Sequence, residues 1–247
     1  MREEPARPRC PWCEGSALER DYHDREWGVP TTDEHALFEL LTLEGAQAGL
    51  AWRTILAKRD GYRRAFAGFD PERVARFDPR RVERLVADPS IVRHRGKIES
   101  VVANARALLA LHRAGGSLAG LLWSVVGGRP RQPGYRAGDR LPSRTAESDA
   151  LAKLLAKHGF RFVGSTTCQA LMQAAGLTND HLVGCHRHAE VTALGGRRIF
   201  GIPDAAAAPP GSRAPAAAES IVTPGAAAGR SRASSASGSR AARARRG

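Results

Sequence analysis

The phrase Phe-Asp-Pro-x-Arg-Val-x-Arg occurs twice in succession, at Phe69–Arg76 and Phe77–Arg84, and it leaves the chain little choice but to start a helix each time. Asp70 and Asp78 are N-cap residues whose carboxylates satisfy free backbone N–H groups, and Pro71 and Pro79 carry the torsion that a first helical residue needs. Two short helices are therefore expected from Pro71 and Pro79. No longer period accompanies the echo, so it is local and marks no solenoid.

Helical spacing dominates elsewhere. Leu37, Leu40 and Leu41 follow a Thr31-x-x-Glu34 capping box, and Leu151, Leu154 and Leu155 repeat the pattern in a segment that stops at Gly159. Ile98, Val101, Val102, Ala105, Leu108, Leu109 and His112 mark one face of a long helix. Strand-like alternation is scarce, and the expected fold class is all-α.

From Asp204 onward the composition collapses into Ala, Gly, Ser, Pro and Arg, with too little large apolar surface to offset ordering entropy. The organisation expected is a folded domain over 1–190, a boundary segment over 191–203 and a disordered basic tail over 204–247. Of the net charge of +13, residues 186–247 supply +7 through ten Arg against Glu190, Asp204 and Glu219. A polyanionic partner fits both halves. The tail reads either as weak attraction to DNA phosphates or as a compositional drift toward Ala and Arg. No run of 18 apolar residues occurs and the start, MREEPARPRC, is charged, so a soluble cytoplasmic protein is expected. Its four cysteines then read as free thiols or metal ligands.

Three clusters carry chemistry. Between the second short helix and the long one lies ADPSIVRHRGKIES, where Arg93, His94, Arg95 and Lys97 surround a tight connection. That is either a phosphate-gripping helix-hairpin-helix or an ordinary turn with solvated charges, and of the usual Gly-x-Gly only Gly96 is present. Cys10 and His23 stand near the start, with His181 and Cys185 near the end of the folded part, the latter two spaced as on one face of a helical turn. Paired, the two ends supply two thiolates and two imidazoles, a closed set suited to structural zinc; unpaired, each is a buried thiol or a hydrogen-bonded histidine. Cys13, His186 and His188 are competing ligands, and Cys168 reads as core. Lastly, ERDYHDREWGVP places Tyr22 and Trp27 five apart in a chain with 6% aromatic residues. Taken alone, Glu44 is a first-turn acid favoured by the helix dipole.

Together, Cys10, YHDREWGVP, LEGAQAGLAW, IVRHRGKI, SDALAKLLAKHGFRFVG and LTNDHLVGC resemble, in order and spacing, the 3-methyladenine DNA glycosylase I family, a branch of the helix-hairpin-helix glycosylases. The resemblance spans about residues 7–188. It implies an all-α helix-hairpin-helix DNA glycosylase fold with one structural Zn2+ joining the two ends of the domain, held by Cys10, His23, His181 and Cys185. It implies a pocket of Tyr22, Trp27 and Trp52 with Glu44 as the catalytic carboxylate. It also matches Gln47, Gly49 and Leu50 to the loop that meets DNA where the base leaves the stack. Arg93, Arg95 and Lys97 are the DNA-binding cations of the hairpin reading. Cys13, the HRH after Cys185, and Glu19, where some members have an aromatic, depart from the family.

The expected function is a monomeric DNA repair enzyme that flips 3-methyladenine out of double-stranded DNA and hydrolyses its N-glycosidic bond. Aromatic faces hold a flat base, and a purine alkylated at N3 is cationic, which favours electron-rich rings and a carboxylate. Its base departs neutral, so the leaving group needs no general acid. Two rivals are a glycosylase and lyase that attacks through Lys97, and a non-catalytic damage-binding module. A zinc hydrolase is weaker, because four protein ligands leave no position for water.

Overall fold

The computed structural model describes residues 7–196 and 199–200. Among them the regular structure is helical, apart from one isolated bridge between Arg131 and Thr178. A 3₁₀ turn, Pro11–Gly15, leads into α1 (Ala17–Arg25), followed by α2 (Glu34–Gln47), α3 (Trp52–Ala65), α4 (Pro71–Ala75) and α5 (Pro79–Ala87). Then come α6 (Arg95–Arg113), α7 (Leu118–Ser124), α8 (Ala146–Lys157), α9 (Ser165–Ala174) and α10 (His186–Gly195). No described helix is long and apolar enough to cross a membrane.

The core is built around α2. Every residue from Leu37 to Ala46 is buried, so beyond its first turn this helix has no solvent face until Gln47. A helix buried all round must be covered on all sides, and α3, α6, α7 and α9 pack against it. The carboxylates of Asp70 and Asp78 accept backbone N–H bonds at the starts of α4 and α5, as the repeated phrase requires.

Four local expectations are corrected. The cap of α2 is Asp33, which accepts the Ala36 N–H at 2.7 Å, not Thr31. Glu34 reaches across the fold instead, accepting the N–H groups of Leu118 and Ala119 at 2.9 and 2.7 Å and so capping α7. The buried face of α6 runs through Asn104, Ala107 and Leu111 rather than ending on His112, which is exposed and paired with Glu34. The i, i+4 pair His181 and Cys185 lies in a turn, with Cys185 as the N-cap of α10. Finally, α10 carries the folded part through Gly195 with Val191 buried, past the boundary expected at residue 190. The tail expected over 204–247 lies outside the described residues.

Candidate active site and metal centre

The two ends of the domain meet. Cys10, His23, His181 and Cys185 are all buried, with their ligand atoms within 4.8 Å of one another. His181 Nδ1 lies 3.2 Å from His23 Nε2, 3.7 Å from Cys185 Sγ and 3.8 Å from Cys10 Sγ, and Cys185 Sγ is 3.4 Å from His23 Nε2. The outer nitrogens set the tautomers. His23 Nδ1 donates to Asp24 at 2.8 Å and His181 Nε2 donates to the Trp27 carbonyl at 3.0 Å, so each ring turns a lone pair inward. Two lone pairs 3.2 Å apart repel unless a cation lies between them. Four such donors can hold one metal ion.

A second layer supports the first. Arg9 forks onto both oxygens of Asp24 at 2.8 to 3.0 Å. Burial opposes ionisation of Asp24, but Arg9 and His23 outweigh it and hold the carboxyl down to about 2. Backbone N–H groups of Leu182 and Arg187 point at Cys10 Sγ and Cys185 Sγ, each at 3.4 Å, which favours thiolates. The competing ligands stand outside: Cys13 donates its thiol to the Cys10 carbonyl, and His186 faces the Pro8 carbonyl and Asp24. His188 is not in the cluster either. Cys168 is fully buried core, as expected.

Beside the metal cluster lies a cavity of about 350 Å³ lined by Trp12, Tyr22, Trp27, Glu44, Gln47 and Trp52, with Leu141, Pro142, Ala170 and Gln173 closing it. All four residues that the resemblance assigned to the pocket are there. Tyr22 comes from α1, Glu44 from the last turn of α2 and Trp52 from the first residue of α3. Trp27 follows α1 in the turn made by Gly28, whose φ of +80° an L side chain would resist and whose added Cβ would press on His181 at 3.0 Å. The rings of Tyr22 and Trp52 are 5.3 Å apart at 52°.

Polar atoms converge on this cavity without protein partners. The Tyr22 hydroxyl and Trp52 Nε1 are buried and unbonded among the described residues. Burial alone pushes the Glu44 carboxyl up to about 8. Burial, and then the charge of Glu44, raises the Tyr22 phenol as well. Glu44 is therefore no first-turn acid: it sits near the C-terminus of α2, where the helix dipole disfavours an anion, and burial acts on its charge without a compensating group among the described residues.

Gln47, Gly49 and Leu50 form a turn at the mouth. The Leu50 N–H meets the Gln47 carbonyl at 2.7 Å, Gln47 Nε2 donates to the Leu50 carbonyl at 2.8 Å, and Gly49 takes the φ of +79° that the third position of a type II turn demands. Leu50 is 38% exposed. In the connection from α5 to α6, Arg93 is exposed and Arg95 forks onto Glu83 at 2.7 Å. Lys97 is not the free cation expected of a DNA contact: its Nζ donates to the carbonyls of Ala46 and Ala48, at 2.9 and 2.6 Å.

Sequence reasoning missed Trp12, Gln173 and Asp24. Trp12 stands 5.0 Å from Trp27 and edge-on to Tyr22, and its place in the Cys10-x-Trp-Cys13 segment was the available signal. Gln173 Nε2 donates to Asp180 at 2.6 Å, a contact that no spacing foretells. Glu19, the departure from the family, bonds Ser16 at 2.8 Å and does not line the cavity.

The chain is similar to known proteins in sequence and in fold. A sequence model of the methyladenine glycosylase family matches residues 12–188. The chain is 49% identical over 177 residues to DNA-3-methyladenine glycosylase 1 of Escherichia coli (strain K12), covering 72% of this chain and 95% of that protein. It is 43% identical to DNA-3-methyladenine glycosylase of Haemophilus influenzae, covering 72% and 96%. A crystal structure of 3-methyladenine DNA glycosylase I superposes with a TM-score of 0.72 at 50% identity, over 73% of this chain and 100% of the other. The Staphylococcus aureus enzyme, studied for its recognition of 3-methyladenine, superposes with a TM-score of 0.67 at 40% identity, over 70% and 92%. The chain belongs to the methyladenine glycosylase family.

Proposed function

We propose that this protein is a monofunctional DNA glycosylase that removes 3-methyladenine from alkylated double-stranded DNA. The observation that carries the reading is the buried carboxyl of Glu44 in an aromatic cavity, beside the unbonded Tyr22 hydroxyl and Trp52 Nε1. Such groups are costly to bury unless a ligand completes them. A flat purine that is cationic at the ring and carries an amino donor supplies both stacking surface and the missing charge.

In this mechanism the alkylated nucleotide leaves the helix and its base enters between Tyr22, Trp27 and Trp52. Leu50, presented by the turn at Gly49, fills the space left in the stack, and Arg93 and Arg95 face the backbone in a helix-hairpin-helix role. Glu44 ionises against the cationic base and stabilises the charge that spreads over base and sugar as the bond stretches. The base leaves neutral, so no side chain has to protonate it. Normal adenine lacks the positive charge and stays attached.

Cys10, His23, His181 and Cys185 would hold a structural zinc ion. Zn–S of about 2.3 Å and Zn–N of about 2.0–2.1 Å give tetrahedral edges of roughly 3.3 Å for N–N and 3.6 Å for N–S, and the observed separations run from 3.2 to 3.8 Å. Held by Cys10, His23, His181 and Cys185, the ion would cross-link the two ends of the folded domain and would leave no position for water. The working form is a monomer, since the cavity is complete within one chain. Base release from methylated DNA, followed by chromatography, tests the function: 3-methyladenine should appear and normal purines should not. Binding without release would leave a damage-recognition module instead.

A further inference from the structure

Two regions here are proposed to touch DNA, the Gln47–Leu50 turn and the start of α6 at Arg95, and they are 45 to 48 residues apart in sequence. Within itself the turn is held by two bonds between Gln47 and Leu50. Those bonds attach it to nothing else, and the space around an added Cβ at Gly49 is open for 4 Å. The attachment comes from α6. Lys97 Nζ donates to the Ala46 carbonyl, one of the last four of α2 that no helical N–H can reach, and to the Ala48 carbonyl inside the turn.

A second contact covers the same junction. Phe162 is 37% exposed and holds a φ of +56°, a conformation that costs a non-glycine residue free energy. Buried Asn104 enforces it, accepting the Arg161 N–H at 2.7 Å and donating to the Arg161 carbonyl at 3.1 Å. The strained residue lies over the two glycines where α2 and α6 meet: a Cβ added at Gly45 would be 3.6 Å from Phe162 Cβ, and one at Gly96 would be 3.7 Å from its Cζ. Phe162 thus packs at ordinary van der Waals distance from both the end of α2 and the start of α6.

We infer that Lys97 is a positioning residue, which ties the turn bearing Leu50 to the first turn of α6 so that the wedge and the backbone grip act as one body. The inference rests on the glycosylase reading. It also separates Lys97 from two other roles. An ammonium that donates to two carbonyls is protonated and engaged, whereas a Schiff-base nucleophile must be a neutral amine. A phosphate contact would turn its donors outward.

The test compares wild type with Lys97→Met and Lys97→Arg. Wild-type release of 3-methyladenine from one defined duplex comes first, because its absence removes the glycosylase reading itself. Given that release, Lys97→Met should bind the free base 3-methyladenine as wild type does, since free base needs only the pocket. Its single-turnover excision from duplex should fall roughly ten- to a hundred-fold, the effect of losing a charged hydrogen bond. Lys97→Arg, which keeps charge and donors, should recover most of that loss. The slope of log affinity for unmodified duplex against log salt should not change. A slope reduced by about one would make Lys97 a phosphate contact and overturn the inference. Equal losses in free-base binding and excision would mark a packing defect and overturn it too, as would a borohydride-trapped adduct that disappears in Lys97→Arg. If Lys97→Met does not fold, Lys97→Gln takes its place, and failure of both to fold would assign Lys97 to folding alone.

Discussion

His181 Nε2 donates to the carbonyl oxygen of Trp27 at 3.0 Å while its Nδ1 faces the metal cluster. One imidazole thus joins the Cys/His cluster to a wall of the cavity. Loss of metal should therefore have two effects. Chelation, or His181→Ala, should lower the melting temperature, because a closed four-ligand site contributes directly to folding. It should also weaken binding of free 3-methyladenine as Trp27 loses its support. Metal analysis with thermal unfolding checks the first effect, and base titration below the unfolding temperature checks the second.

Asp24→Asn is a milder test of the same centre. The amide cannot hold His23 in the required tautomer as firmly and cannot pair with Arg9 by charge. Zinc affinity should drop roughly ten- to a hundred-fold, the range found for outer partners of metal-bound histidine. Competition with a chromophoric chelator measures it. An unchanged affinity would mean that Asp24 merely pairs with Arg9.

Glu44 should govern the pH dependence of excision. Burial lifts its carboxyl to about 8 in the empty cavity, so the ionised form grows as pH rises toward and past that value. Because kcat/KM reports ionisations of the free enzyme, it should climb with pH through this window for a cationic lesion. Glu44→Gln should flatten the rise and slow excision by roughly ten- to several-hundred-fold at high pH, on the scale of a charged hydrogen bond. Single-turnover rates on one alkylated duplex decide it.

The same carboxyl makes a prediction about stability with the opposite sign. Burial raises its folded value from the ordinary 4.5 to about 8, so the folded state holds the proton more tightly than the unfolded chain. Stability is unaffected by this group below about 4.5, declines as pH rises between the two values, and is lowest above about 8. Glu44→Gln removes the decline. The variant should gain stability over wild type as pH goes from 5 to 9, on the order of 2–4 kcal/mol. Parallel denaturant titrations at the two pH values measure the difference.

Trp52→Ala should separate capture from folding. Trp52 is half-buried and 5.3 Å from Tyr22, and the four residues of the Cys/His cluster are Cys10, His23, His181 and Cys185. Free-base affinity should fall by about 1–3 kcal/mol, the worth of one stacked base, with zinc content unchanged. Isothermal titration and metal analysis on the same sample test both halves.

The sequence by itself determined where many helices begin and end, because those signals are local. Asp70 and Asp78 cap the helices at Pro71 and Pro79 through bonds two or three residues away, and Gly159 ends α8 by a backbone angle of its own. It also carried the residue types of the site, since two thiols, two imidazoles and three clustered aromatics have chemistry wherever they land. Tertiary structure decided the rest. Whether Cys10 meets His181 depends on the packing of everything between them, and no spacing reveals it. Glu44 has the same letter at either end of a helix, yet the ten buried residues of α2 turn it from a dipole-favoured acid into an uncompensated one. Lys97 reads as a cation for DNA until its two carbonyl partners, about 50 residues earlier in the chain, are seen. Glu34 likewise left its own helix to cap another. In each case the deciding partner is distant in sequence, and a side chain's charge state and role follow from what the fold brings to it.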